Sequence, residues 1–164
     1  MKSRTDFDAF VEARWPSLLH LARLLTGGDA HRAEDLLLAA LEKLWFSWAR
    51  VGDQHPEAYV RRILVRASAK SARRRWWGER PTAVLPDRAA QGDAAELVGE
   101  RDRLEAALAR LPARQRTAVV LRYYQDLSDA QVSDLMGCPA GTVRSLTSRG
   151  IAKLRTMLDC SPVS

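Results

Sequence analysis

Thr142, Arg144, Ser145, Ser148 and Arg149 fall within about two turns of a segment that reads as helix from Ala140. A guanidinium can offer a guanine edge two hydrogen bonds, and a serine or threonine hydroxyl can bind a phosphate or a base. From Arg144 to Arg155 there are four basic residues and no acidic one. A second set lies upstream: Arg61, Arg62, Arg66, Lys70, Arg73, Arg74 and Arg75, interleaved with Tyr59, Trp76 and Trp77. Phosphate capture combined with aromatic stacking is what a single strand of nucleic acid requires. Residues 61–80 carry eight Lys/Arg and one Glu, a local net of +7 in a chain whose net charge is +6. Like charges this dense repel one another until an anion arrives. An acidic membrane surface is the rival polyanion. For Tyr59 and Trp77, packing in a core competes with stacking on bases. For the arginines of the downstream helix, the bland alternative is a solvated helical hairpin.

These residues need helices to hold them. Leu18, Leu21, Ala22 and Leu25 recur at helical spacing within 7–26, and Leu37, Leu41, Leu44 and Trp48 do so in a second segment from Ala30 to Trp48. Asp29 is placed to cap that second helix. Residues 50–56 (RVGDQHP) break the pattern, and Pro56 opens a third helix running to Trp77. The 50–56 loop also admits a reading as a pocket for an extruded base, beside that of a plain connector. Residues 78–96 hold two prolines and two glycines with little periodicity, which predicts a flexible linker. Helical pattern returns at Leu97, with Leu104, Ala107, Leu108 and Leu111 on one face. Pro112 restarts a helix bearing Val119, Val120 and Tyr123. Ser128 is a natural N-cap for a short helix to Met136, and Gly137 can take the left-handed turn before the last helix. Val132, Leu135, Val143, Leu146, Ile151 and Leu154 would then form the seam of a helix-turn-helix, its second helix shaped for a major groove. The fold class is all-α: two small helical domains, 7–77 and 97–160, joined by the 78–96 linker.

Other functions find little support. No stretch of 18 apolar residues spans a membrane, and the N-terminus has no apolar signal core. Cys138 and Cys160 have no zinc-ligand spacing, and His20, His31 and His55 are scattered. No glycine-rich phosphate loop or nucleophile motif occurs. Neither catalysis, a metal nor a cofactor is expected, and a reduced, cytosolic setting is.

Three stretches together resemble the extracytoplasmic-function sigma factors of bacterial RNA polymerase. They are FDAFVEARWPSLLHLARLLTGGDAHRAEDLL, PEAYVRRILVRASAKSARRRWW and LARLPARQRTAVVLRYYQDLSDAQVSDLMGCPAGTVRSLTSRGIAKLR. The last is similar to the actinobacterial subgroup with an LPxRQRxxxxLRYYxDLS pattern. The resemblance implies a sigma region 2-like domain at 7–77 that docks on core polymerase and opens the −10 element, and a sigma region 4-like domain at 97–160 that reads the −35 element. It implies polymerase contact through Glu34, Asp35, Leu38 and Glu42, on the β and β′ subunits. It implies −10 contacts from Tyr59, Arg61, Arg62, Arg66, Lys70, Arg73 and Arg74, and −35 contacts from Thr142, Arg144, Ser145, Ser148 and Arg149. Promoter DNA and an anti-sigma factor are the further partners it implies, in the bacterial cytoplasm at the nucleoid. Two positions depart from the family: Leu38-Ala39 stands where a polar pair is common, and Arg66 where an asparagine is. The first departure motivates an alternative, a stand-alone helix-turn-helix regulator with weakened polymerase contact.

Overall fold

The computed structural model describes residues 3–77 and 99–159, with 71–77 as backbone only. The linker 78–96, the expected onset at Leu97, Cys160 and the side chains of Arg73, Arg74, Arg75, Trp76 and Trp77 lie outside the described residues. All described regular structure is helical: α1 Arg4–Leu25, α2 Ala30–Phe46, α3 Trp48–Val51, α4 Pro56–Trp77, α5 Glu100–Ala109, α6 Ala113–Val119, a π-helical turn Val120–Tyr124, α7 Asp129–Met136 and α8 Ala140–Asp159.

Local chemistry accounts for the boundaries. Ser3 caps α1 through a reciprocal pair with Asp6, which starts the helix three residues earlier than the apolar stripe predicts. Asp29 caps α2 by accepting from the Arg32 amide. Trp48 does not continue α2; the chain breaks at Ser47 and Trp48 opens the single turn α3. The expected 50–56 loop is correspondingly shorter, since Val51 is helical and buried. Trp48 is nevertheless buried with Leu37, Leu41 and Leu44, as the stripe requires.

The first four helices pack around Leu18, Leu21, Leu25, Leu37, Leu44, Val60, Leu64 and Val65, all at most 2% exposed. In the C-terminal group, α8 lies against α5, α6 and α7. Its buried residues are Val143, Leu146, Thr147, Gly150 and Leu154, and Val143 and Leu154 meet Val119, Val120 and Val132 in one apolar cluster. That cluster extends through both helical groups.

Two expected core positions are exposed. Leu104 is turned to solvent, and so is Tyr123, at 61%. The second has a clear cause. The Gln125 amide donates to the Val120 carbonyl, five residues back, so the turn carries an extra residue and the side-chain phase shifts.

Helices α6 and α8 approach closely at Gly150. A Cβ there would lie 2.6 Å from Val119 Cγ2. Gly150→Val should therefore lower the unfolding free energy by about 1–3 kcal/mol. The readout is an earlier urea midpoint with an unchanged slope. An unmoved midpoint would mean that α6 and α8 have room to part.

Candidate nucleic-acid interface

The helix-turn-helix is held from both ends of α7. Ser128 and Gln131 form a capping box: the Gln131 amide donates to Ser128 Oγ at 3.1 Å, and the Ser128 amide donates to Gln131 Oε1 at 2.8 Å. At the far end Gly137 is left-handed, φ 69° and ψ 35°, and releases the chain toward α8. With one face of α8 committed to the core, Arg144, Ser145, Ser148 and Arg149 are exposed and Thr142 is half-buried. Four of the five sequence-predicted residues thus share an outward face, with Thr142 at its edge. Ser128 caps as expected, and Leu135 and Ile151 of the predicted seam are partly buried against the core.

One residue that sequence reasoning passed over organises this unit. The Arg122 side chain projects from the π-helical turn. Its Nη1 donates to the Leu127 carbonyl at 2.6 Å. Its Nε lies 2.8 Å from Asp129 Oδ1. The other carboxylate oxygen of Asp129 faces Arg144 Nη1 at 3.8 Å. A turn residue that supports such a network carries no periodicity signal, although its neighbour Asp126 sits at φ +55°, which few non-glycine residues adopt.

Helix α4 presents the second basic face. Arg62, Arg66 and Lys70 are exposed along one side, while Val60, Leu64, Val65 and Ser68 are buried on the other. Two of the predicted residues are otherwise engaged. Tyr59 packs against the core, and its hydroxyl lies 3.1 Å from Ser47 Oγ. Arg61 is half-buried, and its Nε donates to Gln125 Oε1 at 3.0 Å, just past the π-helical turn. For Tyr59 the core reading is the one that the packing favours.

On α2, Glu34, Asp35, Leu38 and Glu42 are all exposed on one side. Leu38 is 50% exposed, and the face ends in Trp45 and Phe46, exposed by 42% and 79%. Trp45 and Phe46 lie off the Leu37, Leu41 and Leu44 stripe of α2, so the sequence pattern did not single them out.

The two helical groups also touch. His20 of α1 places Nε2 3.3 Å from Glu105 Oε1 and 3.3 Å from Arg101 Nη2, both on α5. Its ring lies 5.0 Å from that of Tyr124. The Arg116 guanidinium lies against Gly27, where a Cβ would come within 3.2 Å of it. His20 therefore belongs to a contact cluster between the two groups, although neither His31 nor His55 is part of it.

A helix-turn-helix with an outward basic face, beside a second basic helix in an all-α fold, defines a DNA-binding transcription protein. A family profile described as sigma-70, region 4, matches residues 101–154. The RNA polymerase sigma-E factor of Streptomyces avermitilis is 35% identical over 160 residues, covering 94% of this chain and 86% of that one. The ECF RNA polymerase sigma factor SigM of Mycobacterium tuberculosis is 33% identical over 159 residues, with 94% and 78% covered. In fold, the chain is similar to the sigma factor RpoE from Bartonella quintana, solved in complex with the anti-sigma factor NepR. The TM-score is 0.66 at 22% identity, and the match spans 96% of this chain and 99% of that one. The chain belongs to the extracytoplasmic-function family of RNA polymerase sigma factors.

Burial pushes the His20 pKa below its ordinary value; Glu105 opposes that shift, while Arg101 and Arg23 add to it. A folded-state pKa below the unfolded one means that the unfolded chain takes up the proton first. The fold should therefore lose stability as pH falls below about 6.5 and toward the lowered value. His20→Gln should flatten that part of a melting-temperature profile. An unchanged profile would place the pH response elsewhere.

Proposed function

We propose that this chain directs core RNA polymerase to promoters by dividing DNA recognition between its two basic faces. The outward face of α8 reads the −35 element. The α4 face binds and melts the −10 element, and the exposed α2 face docks on the β and β′ clamp. The observation that carries this reading is the segregation within α8. One face is consumed by the core, and the other shows solvent Arg144, Ser145, Ser148 and Arg149. In α4, Arg62, Arg66 and Lys70 supply phosphate contacts, with Arg73 and Arg74 continuing the same helix. Arg61 joins them once its contact with Gln125 is released. Unpaired bases captured on this surface offset the stacking lost on melting. Leu38, Trp45 and Phe46 give the α2 face an apolar centre, with Glu34, Asp35 and Glu42 as its polar rim. The division of the chain into a 7–77 unit, a 78–96 connection and a 97–160 unit follows from these roles. No chemistry of bond making is assigned to the chain, and the place of action is the bacterial cytoplasm at the nucleoid. An anti-sigma factor is a further partner, suggested by the fold likeness to a sigma factor solved with one. The alternative of a stand-alone regulator is not favoured by the kinship with sigma factors.

The test is run-off transcription with core polymerase. The chain should co-purify with core and yield promoter-specific transcripts; tight duplex binding without polymerase and no transcript would sink the reading. In the same system Arg144→Ala should weaken −35 recognition by about 1–3 kcal/mol, with relaxed base preference. An intact preference would reduce Arg144 to a phosphate contact.

Neutralising Arg66 and Lys70 together should lower the slope of log K against log salt by about 2, measured on promoter binding by the holoenzyme. An unaltered slope would mean that α4 does not meet the DNA backbone through these residues.

A further inference from the structure

Asp129 is the first residue of α7, and its side chain is only 28% exposed between two arginines. Arg122 Nε grips one carboxylate oxygen at 2.8 Å, close enough for a charge-assisted hydrogen bond. Arg122 is itself fixed, because its Nη1 donates to the Leu127 carbonyl at 2.6 Å and its guanidinium carbon lies 5.5 Å from the Tyr123 ring centroid. The other oxygen of Asp129 faces Arg144 Nη1 at 3.8 Å, beyond hydrogen-bond length but within strong Coulomb attraction. The Arg144 side chain is 66% exposed. A long arginine in that position samples many rotamers unless something draws its head to one place.

We propose that Asp129 is a positioning residue for −35 recognition: anchored by Arg122, it holds the Arg144 guanidinium over the start of α8 and thereby sets the base edge that Arg144 meets. This rests on the −35 reading of α8. Asp129 acts before binding, by removing rotamer freedom that Arg144 otherwise loses on the DNA. Its charge also disfavours a slide of Arg144 toward the phosphates, because leaving the carboxylate costs attraction. The path runs from the π-helical turn through Arg122 and Asp129 to the recognition helix. The irregular turn is what places Arg122 beside α7.

An acid in the first turn of a helix also favours the helix dipole, so stability alone does not separate the two roles. The experiment uses the full chain with core polymerase on a promoter library randomised across the −35 element. Arg144→Ala is measured first, to find the position that it flattens. Asp129→Asn should flatten preference at that same position by about two- to fivefold, the size expected of a partly exposed ion pair. The double variant should flatten it no further than Arg144→Ala alone. Asp129→Glu, which keeps the charge, should restore the preference. A drop in melting temperature for Asp129→Asn with preference intact would overturn the proposal and leave only a dipole role. So would flattening at a different position, or an effect additive with Arg144→Ala. If Arg144→Ala itself leaves every position intact, Arg144 is a phosphate contact and the role of Asp129 falls, while the −35 reading of α8 stands or falls by the transcription test above. The first variant alone reports that outcome.

Discussion

The contact between α6 and α8 at Gly150 decides how the C-terminal unit faces the world. With no side chain at that point, Val119 can sit almost on the backbone of α8. The rotation of α8 about its own axis is then fixed. Val143, Leu146 and Leu154 must point inward, and residues three to four positions apart on the opposite side must point outward. Arg144, Ser145, Ser148 and Arg149 owe their exposure to that packing rather than to any property of their own. A rotation of α8 by one residue, about 100°, would bury an arginine and expose a leucine. The large cost of that exchange is why an apolar seam can specify a polar surface.

The same logic gives the charged groups two distinct uses. Arg62, Arg66 and Lys70 stand in solvent, available to a polyanion. Arg122, Arg116 and Arg61 are half-buried and tie elements of the protein together. The chain's positive balance therefore overstates its DNA-facing charge. A guanidinium with a buried stem and several donors suits both tasks, so composition alone does not separate them.

Periodicity carried much of the fold. The buried stripe of α2, the cap at Ser128 and the left-handed Gly137 all follow from residue type and spacing, because each rests on interactions within a few residues. What stayed hidden depends on contacts between distant segments or on irregular backbone. The π-helical turn shifts Tyr123 outward, and no pattern of apolar residues marks an inserted residue. Trp45 and Phe46 are apolar yet exposed, and the spacing of the buried stripe said nothing of them. His20 found Glu105, Arg101 and Tyr124 only through tertiary packing. For the site, the outward residues of α8 were legible because the seam predicts its own opposite face. The Arg122–Asp129–Arg144 path was not, since it joins three elements through side chains alone.

The contacts between the two helical groups raise a question of reach. Elements centred near −10 and −35 lie about 25 base pairs apart, roughly 85 Å along B-form DNA. A compact chain of this length has a radius of gyration of only about 15 Å. If the two basic faces divide these elements as proposed, the closed molecule does not hold both at once. On that proposal, work at a promoter requires the groups to part. The named contacts at the rim of the join suit that demand. His20, Arg101, Glu105, Arg61 and Gln125 can all return to water with their hydrogen-bonding capacity met, whereas parting α6 from α8 would expose Val119 and Leu154 and undo the outward face of α8. Because one apolar cluster runs through both groups, parting them also exposes apolar surface; the polar rim lowers that cost, and contacts made in the opened state must offset the rest.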